Sequence, residues 1–453
     1  MKTQAVDSTI SSNVRNKEAQ RLIEDYEVRP VPESERQGWL KLTMVWIAGI
    51  IALSATALGG ALGSGMSLSQ AIIVSLVGTF LLAILNILCG IPGNKTGLST
   101  SMISSFAMGR YGAYLVSVVI AISLFGWFGV QLDLFGSSLL NVIQSVFGIE
   151  VNRTLLMVIG GILMTVTSMI GYKAIEKLSI VAVPLLGILL VGSTIIVLNN
   201  YSLSELNSAA LAAEPITLGA GISLVIGSLA VGAIIAPDFS RYARGTKDTV
   251  ISSLLGYFIG YSIVLLIAIL LAKATTEVDV VAIMIGIGWG TGGMLVLILA
   301  QWTTNNTNLY SSALGFSVVF RSVPKYIITI FAGIVGTVFA ITGIYTNFIT
   351  FLNVLSIMIP PVGGIYAADF IMRRHAYDFA KIDLIKKVNY YSIGIWAIAI
   401  FLAFATSAPP LGFAWFTLTN APAIDAFIVA FILQIGASKW LMDDGKEVGN
   451  EVS

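Results

Sequence analysis

The chain has one cysteine, Cys89, and one histidine, His375, among 453 residues. A lone thiol forms no intrachain disulfide and no thiolate metal cluster. A lone imidazole rules out any site built on two histidines. Charge is scarce as well. Asp, Glu, Lys and Arg make up 11% of the residues, against roughly a quarter in an ordinary soluble domain. A water-soluble protein of this length needs more charge to cover its surface, so a soluble enzyme and a disordered chain are excluded. The net charge of +1 offers no basic field to DNA or RNA, and no nucleic-acid partner is expected. No G-x-x-x-x-G-K-[ST] motif occurs, and no polar stretch is long enough for a nucleotide-hydrolysing domain. What is abundant is apolar, at 56% of residues with mean hydropathy +0.89. That composition belongs to a polytopic membrane protein.

A helix crossing the bilayer needs about 20 mostly apolar residues. Twelve such stretches are read at 39–62, 67–91, 112–146, 153–172, 175–198, 217–236, 249–272, 292–320, 325–341, 343–371 (interrupted), 389–406 and 415–441. None holds a lysine or arginine near its centre, which argues against a voltage sensor. The short Gly-rich stretch 277–291 reads as a lead-in to the eighth span. Residues 1–38 are polar without an apolar h-region, so they are expected to be a mobile cytoplasmic tail and not a signal peptide. Residues 442–453 read as a second tail. With the N-terminus inside, only Arg153 and Lys273 of the 25 Lys and Arg fall outside the cytoplasmic segments. That split follows the positive-inside rule. The expectation is an all-α membrane protein of twelve transmembrane helices in the cell membrane, with both termini cytoplasmic.

Polar side chains in hydrocarbon are costly unless they face protein or a water-filled cavity. The densest run is Gln301-Trp302-Thr303-Thr304-Asn305-Asn306-Thr307-Asn308 in span 8. At about 100° per residue, Ala300, Gln301, Thr304 and Asn308 share one face, with Thr303 and Asn305 flanking it. Such residues also fasten helices together, at about 0.6 kcal/mol per bond. Fastening usually takes one or two of them, so the run reads as a binding site. In span 3, Trp127 and Gln131 are four apart and stack on one face. A flat π-surface beside an amide suits a planar heterocycle. An aromatic packing helix with one interhelical hydrogen bond is the plainer alternative. Asp133 lies off that face and is expected to pair with a neighbouring helix, with proton coupling through it as the alternative.

Span 6 carries Gly227-Ser228-Leu229-Ala230-Val231-Gly232, with Pro237 beyond. Span 1 carries Ala48-Gly49, Ser54-Ala55 and Gly59-Gly60. Small residues tolerate helix breakage, which exposes backbone groups to a ligand. They also serve plain helix contact. Two such helices five spans apart suggest an inverted five-plus-five repeat with its site at the repeat interface. Pro360-Pro361 and Gly363-Gly364 in span 10 read either as a hinge or as a static kink. A sodium ion wants about five or six hard oxygen donors. Thr303 and Thr304 hydroxyls beside carbonyls freed from a broken span 1 would supply them.

These residues carry a resemblance. Asn94-Lys95-Thr96-Gly97-Leu98-Ser99, Gly126-Trp127-Phe128-Gly129, Pro237-Asp238-Phe239-Ser240-Arg241, Trp302-Thr303-Thr304-Asn305 and Pro360-Pro361-Val362-Gly363-Gly364 resemble the nucleobase–cation symporter-1 family, in its cytosine-permease-like branch. The similarity runs from about residue 30 to 440, with the motifs in order. It implies the leucine-transporter fold, with repeats at 39–200 (spans 1–5) and 217–372 (spans 6–10) and accessory spans 11 and 12 at 389–441. It implies uptake of a planar nitrogen heterocycle, cytosine or a purine first, with an inward cation, often sodium. Carried over residue by residue, the substrate contacts would be Trp127, Gln131, Ser228, Leu229 and Asn305. Asn308 could add a hydrogen bond. The sodium site would be the carbonyls of Ala48, Ile51 and Ala300 with the hydroxyls of Thr303 and Thr304. The family's cytosine permeases place an aromatic at Leu229, a serine at Val231 and an asparagine at Ala300, so a purine, a hydantoin-like ring or a vitamin precursor stays open beside cytosine. No cofactor is expected, and the unit is expected to work as a monomer. A zwitterion symporter on the same fold, a channel and a membrane enzyme are the rivals. A channel would need symmetric pore-lining rings, and an enzyme would need a Ser–His pair, paired carboxylates or metal ligands, none of which converges in the sequence.

Overall fold

The computed structural model describes residues 29–450, apart from 51, 171, 210–212, 276–287, 321 and 410. Among the described residues the protein is helical throughout, with one isolated bridge between Gln37 and Ala243. The first stretch is two helices, α1 (Trp39–Ile50) and α2 (Leu53–Gly65). Next come α3 (Leu68–Thr96), a short α4 (Thr100–Met108), α5 (Arg110–Phe147), α6 (Arg153–Ile170), α7 (Tyr172–Asn200) and a short α8 (Leu203–Ser208). After them run α9 (Leu218–Ile234), α10 (Ala236–Ser240), α11 (Thr246–Ser253) and α12 (Tyr261–Thr275). A seven-residue π-helical turn, Leu254–Gly260, joins α11 to α12. The chain closes with α13 (Gly290–Val319), α14 (Lys325–Ile341), α15 (Phe348–Met358), α16 (Pro360–Arg373), α17 (Tyr390–Thr406) and α18 (Pro422–Asn450).

Local chemistry sets the ends. Ser67 and Gln70 form a capping box that starts α3, and Gly97, at φ 71°, ends it in the left-handed conformation that glycine adopts without strain. Pro360 and Pro361 open α16, where their missing N–H groups cost nothing. Among the described residues, five segments are long and apolar enough to cross a membrane: Leu68–Thr96, Arg110–Phe147, Thr246–Thr275, Phe348–Ala376 and Pro422–Lys439. Five shorter apolar helices accompany them. Leucines, isoleucines and valines face outward along them, as at Ile162, Ile188, Val191, Ile334 and Ile432. In water such a surface would aggregate, whereas in lipid it is the expected solvent-facing side.

α13 packs most extensively on α5, α2 on α12, α9 on α3, and α16 on α18. Three expectations change. Residues from Val31 onward are no loose tail: Val31 is 2% exposed and donates its N–H to the Gly97 carbonyl at 3.0 Å. Gln37 and Arg244 exchange backbone bonds with the facing chain, so this segment is a strap across the bundle end. The last span begins at Pro422 and not near 415, because 415–421 is irregular, and its helix continues through 442–450. The stretch 277–291 lies mostly outside the described residues.

Candidate functional site

The polar centre begins with interrupted helices. Between α1 and α2 the backbone of Ala52 is extended, at φ −127° and ψ 154°. Ile51, one of the expected ion ligands, lies outside the described residues. The last carbonyls of a helix have no partner within it, and Ala48 stands in that last turn of α1. The Ile50 carbonyl accepts from the Ala52 N–H at 2.8 Å. In α9, Leu229 departs from helical geometry, at φ −124° and ψ 17°. The kink falls one residue after Ser228. The third interruption is at Ile359, between α15 and α16.

On α5, Trp127 and Gln131 are 8% and 1% exposed. The indole meets the rings of Phe351 and Phe348 edge-on, at 5.3 and 6.2 Å between centroids. Gln131 Nε2 donates to Ser54 Oγ on α2 at 3.0 Å. Its Oε1 is buried with no hydrogen-bond partner among the described residues. Ser54, Ala57 and Ala61 share a face of α2 by their spacing. Ala57 and Ala61 line a cavity of about 320 Å³, whose opposite wall is Tyr345–Thr350. Phe348 is common to that wall and to the Trp127 contact, so its ring stands between the cavity and the indole. Its volume is at the lower end of small-ligand sites.

The polar run of α13 divides by face. Trp302 Nε1 donates to Thr167 on α6, and Asn306 Oδ1 accepts from Thr167 and Ser168 at 2.9 and 3.2 Å. Asn305 Nδ2 donates to the Phe128 carbonyl at 3.1 Å, and its buried Oδ1 has no partner. Gln301 reaches Ser138 on α5 at 3.4 Å. These contacts tie α13 to α5 and α6. Thr304 and Asn308 are half-buried, and Asn308 Nδ2 has no partner among the described residues. Thr303 and Thr304 both donate to the Ala300 carbonyl, at 2.7 and 3.0 Å. With their protons committed there, the two hydroxyl oxygens keep lone pairs for a hard cation. α2 and α13 also touch.

Ser228 donates to the Val225 carbonyl at 2.7 Å and shares a 2.6 Å hydrogen bond with the Tyr261 hydroxyl on α12. The kinked segment is thus tied to α12. Asp133 is ion-paired to Arg153 at the start of α6. That pairing accounts for one of the two basic residues that broke the charge pattern. The other, Lys273, is 4% exposed and its ammonium has no partner among the described residues. Sequence reasoning missed Phe348, Phe351 and Tyr261. Each lies in an apolar run where nothing marks one aromatic above another.

Away from the centre, Asp369 on α16 accepts from Arg373, Tyr377, Gln434 and Ser438, four donors on α16, on the segment after it and on α18. At the strap, Asp238 accepts from the Thr100 N–H at 2.8 Å. Burial pushes the Asp238 carboxyl up, with Arg241 and that N–H pulling the other way.

Helices interrupted around a buried polar centre, inside an apolar exterior, define a membrane transporter rather than an enzyme. Residues 30–441 match the family of permeases for cytosine/purines, uracil, thiamine and allantoin. The chain belongs to this family, the nucleobase–cation symporter-1 permeases. It is 34% identical over 375 residues to the cytosine permease of Escherichia coli (strain K12), covering 83% of this chain and 87% of that protein. It is 24% identical to the hydantoin permease of Microbacterium maritypicum, over 91% of this chain and 88% of the relative. In fold it is similar to Mhp1, a nucleobase-cation-symport-1 family transporter, in a closed conformation with bromovinylhydantoin bound. The TM-score is 0.77 at 21% identity, over 92% of this chain and 96% of the other. The inward-facing conformation of Mhp1 gives 0.80 at 20% identity, over 92% and 93%.

Proposed function

We propose that this protein is a secondary active transporter that imports a nucleobase or related planar nitrogen heterocycle, cytosine or a purine first, by sodium symport. The observation that carries the reading is the buried Trp127 indole with Gln131 one helical turn away, whose Oε1 has no partner among the described residues. A buried acceptor left unpaired costs about 1–3 kcal/mol. A ring N–H stacked on the indole would recover that cost. The names of the relatives, a cytosine permease and a hydantoin permease, point to the same class of ligand.

In this reading the ring lies on Trp127, bonds Gln131, and is edged by Ser228, Leu229, Asn305 and Asn308. Sodium is held by the carbonyls of Ala48, Ile51 and Ala300 and the hydroxyls of Thr303 and Thr304. The chain crosses the membrane twelve times, with 39–200 and 217–372 as inverted repeats and 389–441 as accessory spans. Residues 1–38 and 442–453 lie at the cytoplasmic face, and the monomer is the working unit. Access alternates between the two sides. The membrane potential adds about 2.3 kcal/mol per charge per 100 mV to accumulation.

Leu229 and Ala300 stand where cytosine permeases carry an aromatic and an asparagine. That favours, as a second reading, a proton-coupled symporter of a vitamin precursor or another small heterocycle or zwitterion. Uptake of radiolabelled cytosine, hypoxanthine, uracil and hydantoin into proteoliposomes, with sodium or choline outside, tests both. Sodium-dependent accumulation of one ring is expected. Accumulation unchanged in choline but abolished by a protonophore would overturn sodium coupling. No uptake of any ring would overturn the substrate class.

A further inference from the structure

The Ser54–Gln131 hydrogen bond joins two places that have so far been separate. Gln131 stands on α5 one turn from Trp127, in the proposed substrate site. Ser54 stands in the first turn of α2, two residues past the extended Ala52 that interrupts the first span. The bond is 3.0 Å, from Gln131 Nε2 to Ser54 Oγ. Gln131 is 1% exposed, and its other amide atom has no partner among the described residues, so among them Ser54 is the polar group that orients this side chain. A helix that starts after a break is free to shift as a unit when the break is ordered or loosened. Any such shift of α2 carries Ser54 with it, since Ser54 is in its first turn.

We propose that Ser54 is a positioning residue that transmits the state of the α1–α2 break to the substrate site through Gln131. The inference rests on the sodium-symport reading given above. When a cation draws the carbonyls at the break together, α2 is fixed, Ser54 is fixed with it, and Gln131 is held with its carbonyl oxygen free for the ring. When the break is loose, Ser54 moves and the amide loses its orientation. Linkage then requires that sodium tighten substrate binding and that substrate tighten sodium binding by the same factor.

The test is equilibrium binding to the purified full-length protein in detergent, read by tryptophan fluorescence with whichever ring gives uptake. Affinity is measured at low and high sodium, with choline holding ionic strength. Wild type is expected to bind more tightly in sodium, by a factor within the roughly 5- to 150-fold range of ordinary couplings. Ser54→Ala is expected to bind weakly at both concentrations, with the sodium factor reduced to about one. Ser54→Thr keeps the hydroxyl and is expected to keep the factor. Should Ser54→Ala bind more weakly but retain the full sodium factor, Ser54 is only a local support and the proposal is overturned. Thermal unfolding of each variant separates a misfolded sample from a decoupled one. If Ser54→Ala does not fold, Ser54→Thr decides: loss of the factor there, in a folded protein with the hydroxyl present, also overturns the proposal. A wild type that binds the ring equally with and without sodium removes the symport reading, and this inference falls with it. A wild type that shows the factor while Ser54→Ala retains it removes this inference alone.

Discussion

The hydroxyls of Ser228 on α9 and Tyr261 on α12 lie 2.6 Å apart, at the residue before the kink in α9. Ser228 spends its own proton on the Val225 carbonyl, so Tyr261 is the donor in this pair. The kink is held from outside its own helix, by a tyrosine that follows the π-helical turn.

Replacing that donor should loosen the kink. Tyr261→Phe is expected to lower stability by about 1 kcal/mol, the net worth of one hydrogen bond. It should raise KM for the ring severalfold with a smaller change in kcat. Thermal unfolding in detergent and initial-rate uptake measure the two effects.

Trp127 packs nearly perpendicular to Phe348 and Phe351, and in the proposed reading its indole carries the ring. Trp127→Ala should weaken binding by more than about tenfold, from the loss of stacking worth roughly 0.5–1.5 kcal/mol together with buried area. Trp127→Phe should recover part of it. Calorimetric titration with the transported ring distinguishes the two variants, and equal affinities for all three proteins would rule out the stacking role.

Asp133 and Arg153 form an ion pair in which the carboxylate side chain is 4% exposed and the guanidinium 43%. Arg153→Ala strands the carboxylate and should cost about 1–3 kcal/mol, discounted from a fully buried pair because Arg153 reaches solvent. The double variant Asp133→Asn with Arg153→Ala should be more stable than Arg153→Ala alone. Uptake by Asp133→Asn at near-wild-type rate would assign the pair to structure; a proton-uncoupled phenotype would assign it to transport.

Asp369 gathers four donors at full burial, with Arg373 21% exposed at the side chain. Asp369→Asn removes the charge that answers Arg373 and should cost about 3 kcal/mol or more. Faster amide exchange along α18 is expected first, since an amide offers one acceptor oxygen where the carboxylate offers two and turns an NH2 toward the remaining donors. Exchange confined to α16 would contradict the network as the tie to α18.

Backbone closeness predicts a graded response among glycines. A Cβ at Gly227 would strike the Leu352 carbonyl of α15, which cannot yield without moving the helix. One at Gly187 meets nothing within 4 Å. Gly227→Ala should abolish uptake or folding, and Gly187→Ala should leave both within error, as measured by expression, unfolding temperature and initial rate.

Much of this was legible in the sequence because bilayer physics leaves few options. Apolar runs, with glycines and prolines at their interruptions, mark the helices and their breaks at Ala52, Leu229 and Ile359. What periodicity does not carry is azimuth relative to neighbours. Asn305 and Asn306 are one residue apart in a polar run that reads as a binding face. Asn306 is consumed by Thr167 and Ser168, and Asn305 gives its amide nitrogen to Phe128. The spacing places them on a stripe, but which helix that stripe meets depends on how α13 is rotated against α5 and α6. Ser54 was visible only as a small residue near a break. Its partner is 77 positions away in sequence, and no local pattern records such a pairing.

The bond from Trp39 N–H to Asp248 and the Gln37–Ala243 bridge lace the start of α1 to the turn before α11. A fluorophore attached at Glu35 would therefore ride on that laced block, and its distance to one placed at Lys247 should stay constant through a transport cycle. A third dye on α14 would supply the changing ruler, so a single triple-labelled protein carries its own internal calibration.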